Sequence, residues 1–489
     1  MAQDRLGSTD HLQYVPAPTR EYRPERGYLP DRERIALDTI GDAVRGIART
    51  YVRQINRPFY PPNIPNSRII EEAGQNPDIF SPYTIVILDP ETNHLTTIPA
   101  HEAFSTQLLE PIELLREAGH YTQDRALKDV VQATIDALEN GEYENLERTI
   151  ITGPLTDIGF RISLYNRYMD TRLGLKFAYS GSVGLLDKQE TEKHQPVVDM
   201  IVDTYLKSEL NSLQNRIRPN VRIRYNKTEV IGGLPAEMEL TADSTPCQLE
   251  WREKYGTEII VEEPPFFDKF HRFREPLIRE IVAVHHRRLQ QYNDLREAYG
   301  YRFDTHETMH ALIRRPNDES RFGNEFPFMN EMGATVIGLS TVAKIGLSPK
   351  QLEGIFLTEL AIAADEYRNF IAGKTRRESY LLGEAVLLNY LVKDGTLRIN
   401  EKGEFDWDSS HVIFKKIEDL AKYLENILTQ GEIRDARVLK RTLGSLAVFE
   451  KLKPFRPRIR PQSVSSPQDD LGTKISFQSP TPLLSVGEF

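Results

Sequence analysis

Five consecutive residues constrain this chain more than any others. His306-Glu307-Thr308-Met309-His310 reads HETMH, an HExxH match. On a helix, positions i and i+4 sit one turn apart on one face, so both imidazoles reach a single zinc ion while Glu307 points at a water on that ion. A metal-assisted hydrolase needs this arrangement. The plainer alternative is a solvated helix with two surface histidines. Context counts against it: YRFDT precedes the motif, with Asp304 or Thr305 placed to cap the helix start, and apolar Ala311-Leu312-Ile313 follows, as on a half-buried helix.

A catalytic zinc usually takes three protein ligands and leaves a fourth position for water. The HExxHxxGxxH solution is excluded, because its later positions are Ile313 and Pro316 here. The other solution takes a Glu from a following helix about twenty residues on. Glu331, in the apolar run FPFMNEMGATVIGLSTVA, lies at that distance. Glu325 competes, but it precedes Pro327 and reads as part of a loop, so Glu331 is preferred.

Composition narrows the setting. Cys247 is the single cysteine, which rules out an intramolecular disulfide and a cysteine zinc site, so any metal must use His and carboxylates. A net charge of −10 argues against nucleic acid as the main partner, since phosphate binding rests on basic surface. No apolar run approaches a bilayer span, and the first residues carry no hydrophobic signal core; a cytoplasmic protein with no membrane partner is expected. At 489 residues the chain can build two or three lobes with substantial cores.

Taken in order, residues 1–30 are rich in Arg, Pro and acids and read as a flexible or surface-wrapping arm. A helix follows over DRERIALDTIGDAVRGIARTYVRQI, then a hairpin over SPYTIVILDPETNHLTTIP and two helices, the second stopping at Gly141. Residues 150–190 read as strands and loops, with a tyrosine cluster of Tyr165, Tyr168 and Tyr179. NVRIRY and GTEIIVEEPP read as extended segments, and FDKFHRFREPLIREIVAVHHRRLQQY as one helix. On that helix the adjacent His285 and His286 point to different faces and do not join one compact site. Beyond the motif the chain is helical to about 450, with a small hairpin at GTLRINEKGEFDWD. Glu359, Asp365 and Glu366 fit the charged faces of surface helices. Residues 456–489, rich in Pro and Ser, read as a disordered tail.

From about residue 58 to about residue 450 the chain resembles the dipeptidyl peptidase III family of zinc peptidases, in its shorter forms with an uninterrupted HExxH. The resemblance is carried in order by SPYTIVILDPETNHLTTIPAHEAF, PIELLREAGHYTQDRALKDVV, SLYNRYMDTRLGLKFAYSGSVGLLD, EWREKYGTEIIVEEPPFFDKF and LLGEAVLLNYLVKDG. It implies a mainly helical α+β fold of two lobes around a cleft. A mixed α/β lobe (31–265) carrying the Tyr168 loop would face a helical gluzin-type zinc lobe (266–455). It implies His306, His310 and Glu331 as zinc ligands, Glu307 as the base that activates water, and Tyr168 as a catalytic phenol on the opposite lobe.

The departures matter too. The family's EExxAD motif is matched by Asn330 to Thr335 at Glu331 and Ala334, but its first Glu is Asn330 and its Asp is Thr335. A Glu that helps hold a peptide's free amine is Asn166, which predicts poor selectivity for a free amino terminus. A later His thought to assist the transition state is Tyr380. Three readings remain. The first is a zinc hydrolase of amide bonds acting on peptides; the second, a metal enzyme acting on a small peptide-like metabolite; the third, a non-catalytic binding protein on a peptidase fold. His, His, Glu ligation suits zinc best among divalent ions. Oligomeric state is left open.

Overall fold

The structure is a computed structural model and describes residues 18–27, 29–211, 218–287, 291–373 and 378–455. The tail expected over 456–489 and the first part of the expected arm lie outside the described residues. Residues Thr19–Glu21 form a strand, β1, that pairs antiparallel with residues Val230 to Gly232.

The first half of the chain follows its sequence pattern closely. The helix Asp31–Ile55 buries Leu37, Ile40, Val44, Ile47 and Tyr51 on one stripe. The hairpin β2 (Thr84–Leu88) and β3 (Leu95–Pro99) comes next. Then follow the helices Ser105–Tyr121 and Arg125–Asn140. Asp124 caps the second through the backbone amides of Ala126 and Leu127, and Gly141 ends it at φ +75°, a conformation that glycine adopts without a Cβ penalty.

A six-stranded sheet joins the two halves. It is built from β4 (Ile158–Tyr165), β5 (Ala178–Leu186), β6 (Val221–Gly233), β7 (Ala242–Thr245) and β8 (Thr257–Glu262) in the order β4-β5-β6-β8-β7, with β1 on β6. The long strand β6 links two ladders: residues 226–233 pair antiparallel with β5, and residues 221–226 pair parallel with β8. Its apolar side chains accordingly serve two cores. Val230 packs with the first-half helices, whereas Ile223 and Tyr225 pack with the helical second half. The fold is α+β with two lobes.

The second half differs from its sequence reading in two places. The segment expected as one long helix is helical from Glu263 to Ile281, through a π-helical stretch at Phe270–Arg274, and then breaks before the short helix Val284–Arg287. The break falls where Val282 and Ala283 leave the helix to pair with Phe405, in the small hairpin β9 (Arg398–Ile399) and β10 (Phe405–Asp406). A backbone bonded to a distant strand cannot also continue its own helical ladder. Second, the motif helix runs Tyr292–Leu312, so Asp304 and Thr305 lie inside it and do not cap it. A capping box of Gln291 and Asp294 starts it three turns earlier.

Asp304 has a different task. Its carboxylate is completely buried and takes hydrogen bonds from His194 and from the Tyr225 hydroxyl (2.9 Å), which ties the motif helix to the helix Lys188–Lys207 and to β6. Burial opposes a charge on His194, but the carboxylates of Asp304 and Glu190 overcome it and push its pKa up to about 9. A raised folded-state value means stability that is complete below the unfolded value near 6.5 and is lost as pH rises through about 9. The group is buried, so the effect is of order 3 kcal/mol. We expect the melting temperature to fall between pH 7 and pH 9.5, and His194→Gln to flatten that fall. Equal slopes for parent and variant in pH-dependent melting would remove this role.

Candidate metal centre

The motif helix presents His306 and His310 one turn apart, and the helix Phe326–Val342 presents Glu331 to both. His306 Nε2 and His310 Nε2 are 3.2 Å apart, and Glu331 Oε2 lies 3.3 Å from the first and 3.4 Å from the second. Ligand atoms on one tetrahedral zinc lie about 3.3–3.6 Å from each other, given bonds of about 2.0–2.2 Å, so the triangle has the size that ion requires. Glu331 Oε2 is buried and makes no hydrogen bond. Burial opposes its ionisation, yet the two imidazoles hold its carboxyl well below the usual range. The residues present therefore fit a zinc ion. Glu325 is held elsewhere, by Arg437 (3.6 Å) and Lys440 (3.3 Å).

The triangle borders a cavity of about 310 Å³. Glu307, His310 and Glu331 line it, and so do Asn166, Tyr168 and Tyr380. Burial, with the charges of Asp243 and Glu331 adding to it, pushes the Glu307 carboxyl up to about 7. Tyr168 and Tyr380 reach the cavity from opposite halves of the chain, and their hydroxyl oxygens are 2.7 Å apart. The Tyr168 loop is ordered by the carboxylate of Asp170, which accepts from the backbone amides of Arg172, Leu173, Leu175 and Lys176 and from the hydroxyl of Tyr60.

No protein-family model and no curated protein sequence matches the chain. Solved structures do. A structure of dipeptidyl peptidase III from Caldithrix abyssi matches with a TM-score of 0.73 at 17% identity, covering 88% of this chain and 94% of that one. Dipeptidyl-peptidase III from Corallococcus sp. strain EGB matches with a TM-score of 0.77 at 18% identity, covering 88% and 92%. The chain has the dipeptidyl peptidase III fold.

Within this dipeptidyl peptidase III fold, the two altered EExxAD positions touch the far nitrogens of the two histidines. Asn330 Nδ2 is 3.1 Å from His310 Nδ1, and Thr335 Oγ1 is 3.2 Å from His306 Nδ1. A histidine that ligates through Nε2 carries its proton on Nδ1, so each neighbour must accept it. Turning the Asn330 amide over puts its Oδ1, buried without a partner, in that place. A neutral amide and a hydroxyl orient the rings without the added basicity a carboxylate gives.

Sequence reading missed one cavity residue of note. Asp243, on β7, takes a 2.7 Å hydrogen bond from Asn166 Nδ2 and lines the cavity. Burial pushes its pKa up. No motif surrounds it, so nothing local marks it. A carboxylate thus stands beside the Asn166 amide at the cavity wall. His285 and His286 are also corrected: both face Asp406, each at 3.2 Å.

Glu359, Asp365 and Glu366 are buried and not on surface faces. Glu359 pairs with Arg302 on the motif helix, one turn before His306, and Arg302 also reaches Glu384 and Thr335, each at 3.4 Å. Arg302 thus carries the charge of a buried platform beneath the triangle. Removing one partner of a buried pair typically costs about 3–5 kcal/mol, because the other charge stays buried. Arg302→Met should lower stability by about that amount in chemical denaturation, and adding Glu359→Gln should recover a large part of it. An unchanged unfolding midpoint in the single variant would show that the platform bears no load.

Proposed function

We propose that the chain is a zinc-dependent hydrolase of amide bonds that acts on peptides with a free amino terminus. The observation that carries this reading is the zinc-sized triangle of His306, His310 and Glu331 at the wall of the cavity that also holds Glu307 and Tyr168. The dipeptidyl peptidase III fold supports it.

A zinc ion held by these three side chains would supply a Lewis acid that polarises the scissile carbonyl and acidifies water. The remaining work falls to the protein. Glu307 follows a ligand on the same helix turn and faces the cavity, so its carboxylate takes the proton of the attacking water and passes it to the leaving amine. The Tyr168 phenol, on the opposite wall, donates to the carbonyl oxygen as negative charge builds there, and so favours the transition state over the ground state. Asp243, oriented by Asn166, receives the substrate's ammonium. A cavity of 310 Å³ lies at the small end of ligand sites, which favours a short unit on the amine side and keeps the peptide-like metabolite as a second reading.

Metal analysis with turnover on free and blocked peptides tests the centre. Glu331→Gln should lose the one equivalent of zinc held at this triangle, while Glu325→Gln keeps it. Glu307→Gln should retain zinc and lose about a hundredfold to ten-thousandfold in kcat. Zinc loss from Glu325→Gln alone, or near-parent turnover in Glu307→Gln, would end this reading.

Two variants probe the opposite wall. Tyr168→Phe should lower kcat by about a hundredfold or more with zinc content unchanged. Asp243→Asn should raise KM for free-amine peptides by about tenfold to a hundredfold, the worth of one charge-assisted hydrogen bond. Equal cleavage of free and blocked peptides by the parent would rule out an amine-reading Asp243.

A further inference from the structure

A second cluster of metal-type side chains stands apart from the cavity. His285 and His286 are neighbours on the short helix Val284–Arg287, where successive side chains normally diverge, yet both Nε2 atoms lie 3.2 Å from one atom, Oδ1 of Asp406. The three donor atoms all fall within 4.8 Å of one another. The backbone enforces the meeting: Val282 bridges to Phe405, and the Ala283 amide donates to the Phe405 carbonyl at 2.9 Å.

The surroundings of His286 suit a ligating histidine. Its ring is buried, with Nδ1 2.9 Å from Glu353 Oε1 and one face stacked on Trp407 at 3.6 Å. Glu353 thus stands behind the imidazole, while Nε2 faces Asp406 with the Trp407 backbone amide 3.4 Å away. A carboxylate behind the imidazole is also the usual support of a ligating histidine. Arg398 approaches only the other oxygen, Asp406 Oδ2, at 4.0 Å, and its closer pair is Asp408 at 2.7 Å. His285 is 64% exposed, so an ion and its remaining waters have an open path.

We propose that His285, His286 and Asp406 bind a second divalent transition-metal ion, zinc or one of similar preference, that pins the β9–β10 hairpin to the segment leading into the motif helix. Two imidazoles and one carboxylate suit zinc, nickel or cobalt and not calcium or magnesium, which take oxygen ligands.

The test is zinc stoichiometry of the full chain after dialysis against Zn²⁺, read with zinc-dependent melting. His285→Ala removes an exposed side chain and leaves the backbone pairing in place; Asp406→Asn removes the shared oxygen's charge. Each should bind one equivalent fewer than the parent and lose a zinc-induced rise in melting temperature that the parent shows. Glu331→Gln should keep that rise, which separates this site from the cavity. The proposal is overturned if parent, His285→Ala and Asp406→Asn bind equal zinc, the outcome of two protonated imidazoles clamped on Asp406. It is also overturned if only Glu331→Gln changes the count.

Discussion

Everything at the centre depends on how closely two helices approach. Phe326–Val342 can bring Glu331 to the histidines only because its backbone lies almost against the motif helix. A Cβ on Gly338 would stand 3.0 Å from Thr305 Cγ2 and 3.2 Å from Met309 Cγ, and one on Gly333 would stand 2.8 Å from Ile313 Cδ1. The next helix, Glu378–Lys393, repeats the device: a Cβ on Gly383 would lie 3.3 Å from Met332 Cα. Glycines here weaken helix propensity by about 1 kcal/mol each, and close packing of three helices is what offsets it.

That approach gathers charges that a hydrophobic core alone could not hold. Arg302 neutralises Glu359 and reaches Glu384, whose carboxyl is pushed well up by burial and by the Glu359 charge. On the other side of the same helix, Asp304 is answered by His194 and Tyr225. The motif helix is therefore fixed by directional bonds on two sides, with apolar packing between them. Side chains set on such a rigid element hold their spacing, and His306 and His310 keep theirs to Glu331.

The opposite wall is built on different principles. Tyr168 and Asn166 sit on a loop, and Asn166 takes a positive φ of 68°. Asp170 compensates for the irregular backbone by collecting four amide donors. The hydroxyl contact between Tyr168 and Tyr380 joins this loop to the helical half across the cavity, and the Arg167–Glu319 ion pair (2.8 Å) joins them again. A polar contact of that kind can open and reform at modest cost.

Local chemistry determined much of this protein in advance. Helical periodicity marked Asp31–Ile55, β-branched residues before a DPETN turn marked the β2–β3 hairpin, and the i, i+4 spacing of His306 and His310 placed both on one helical face. Those features depend on neighbours in sequence, so residue order displays them. Tertiary structure decided the rest. Asp304 was legible as a cap and became a buried anchor, because its partners His194 and Tyr225 lie some 80 to 110 residues away. Glu359 was legible as a surface acid and became Arg302's counterion, since a charge is stable inside only where a distant partner meets it. Asp243 and the convergence of His285 and His286 on Asp406 had no local signal at all. Each is created by pairing between strands and helices far apart in the chain, and only the folded backbone sets which carboxylate faces which nitrogen.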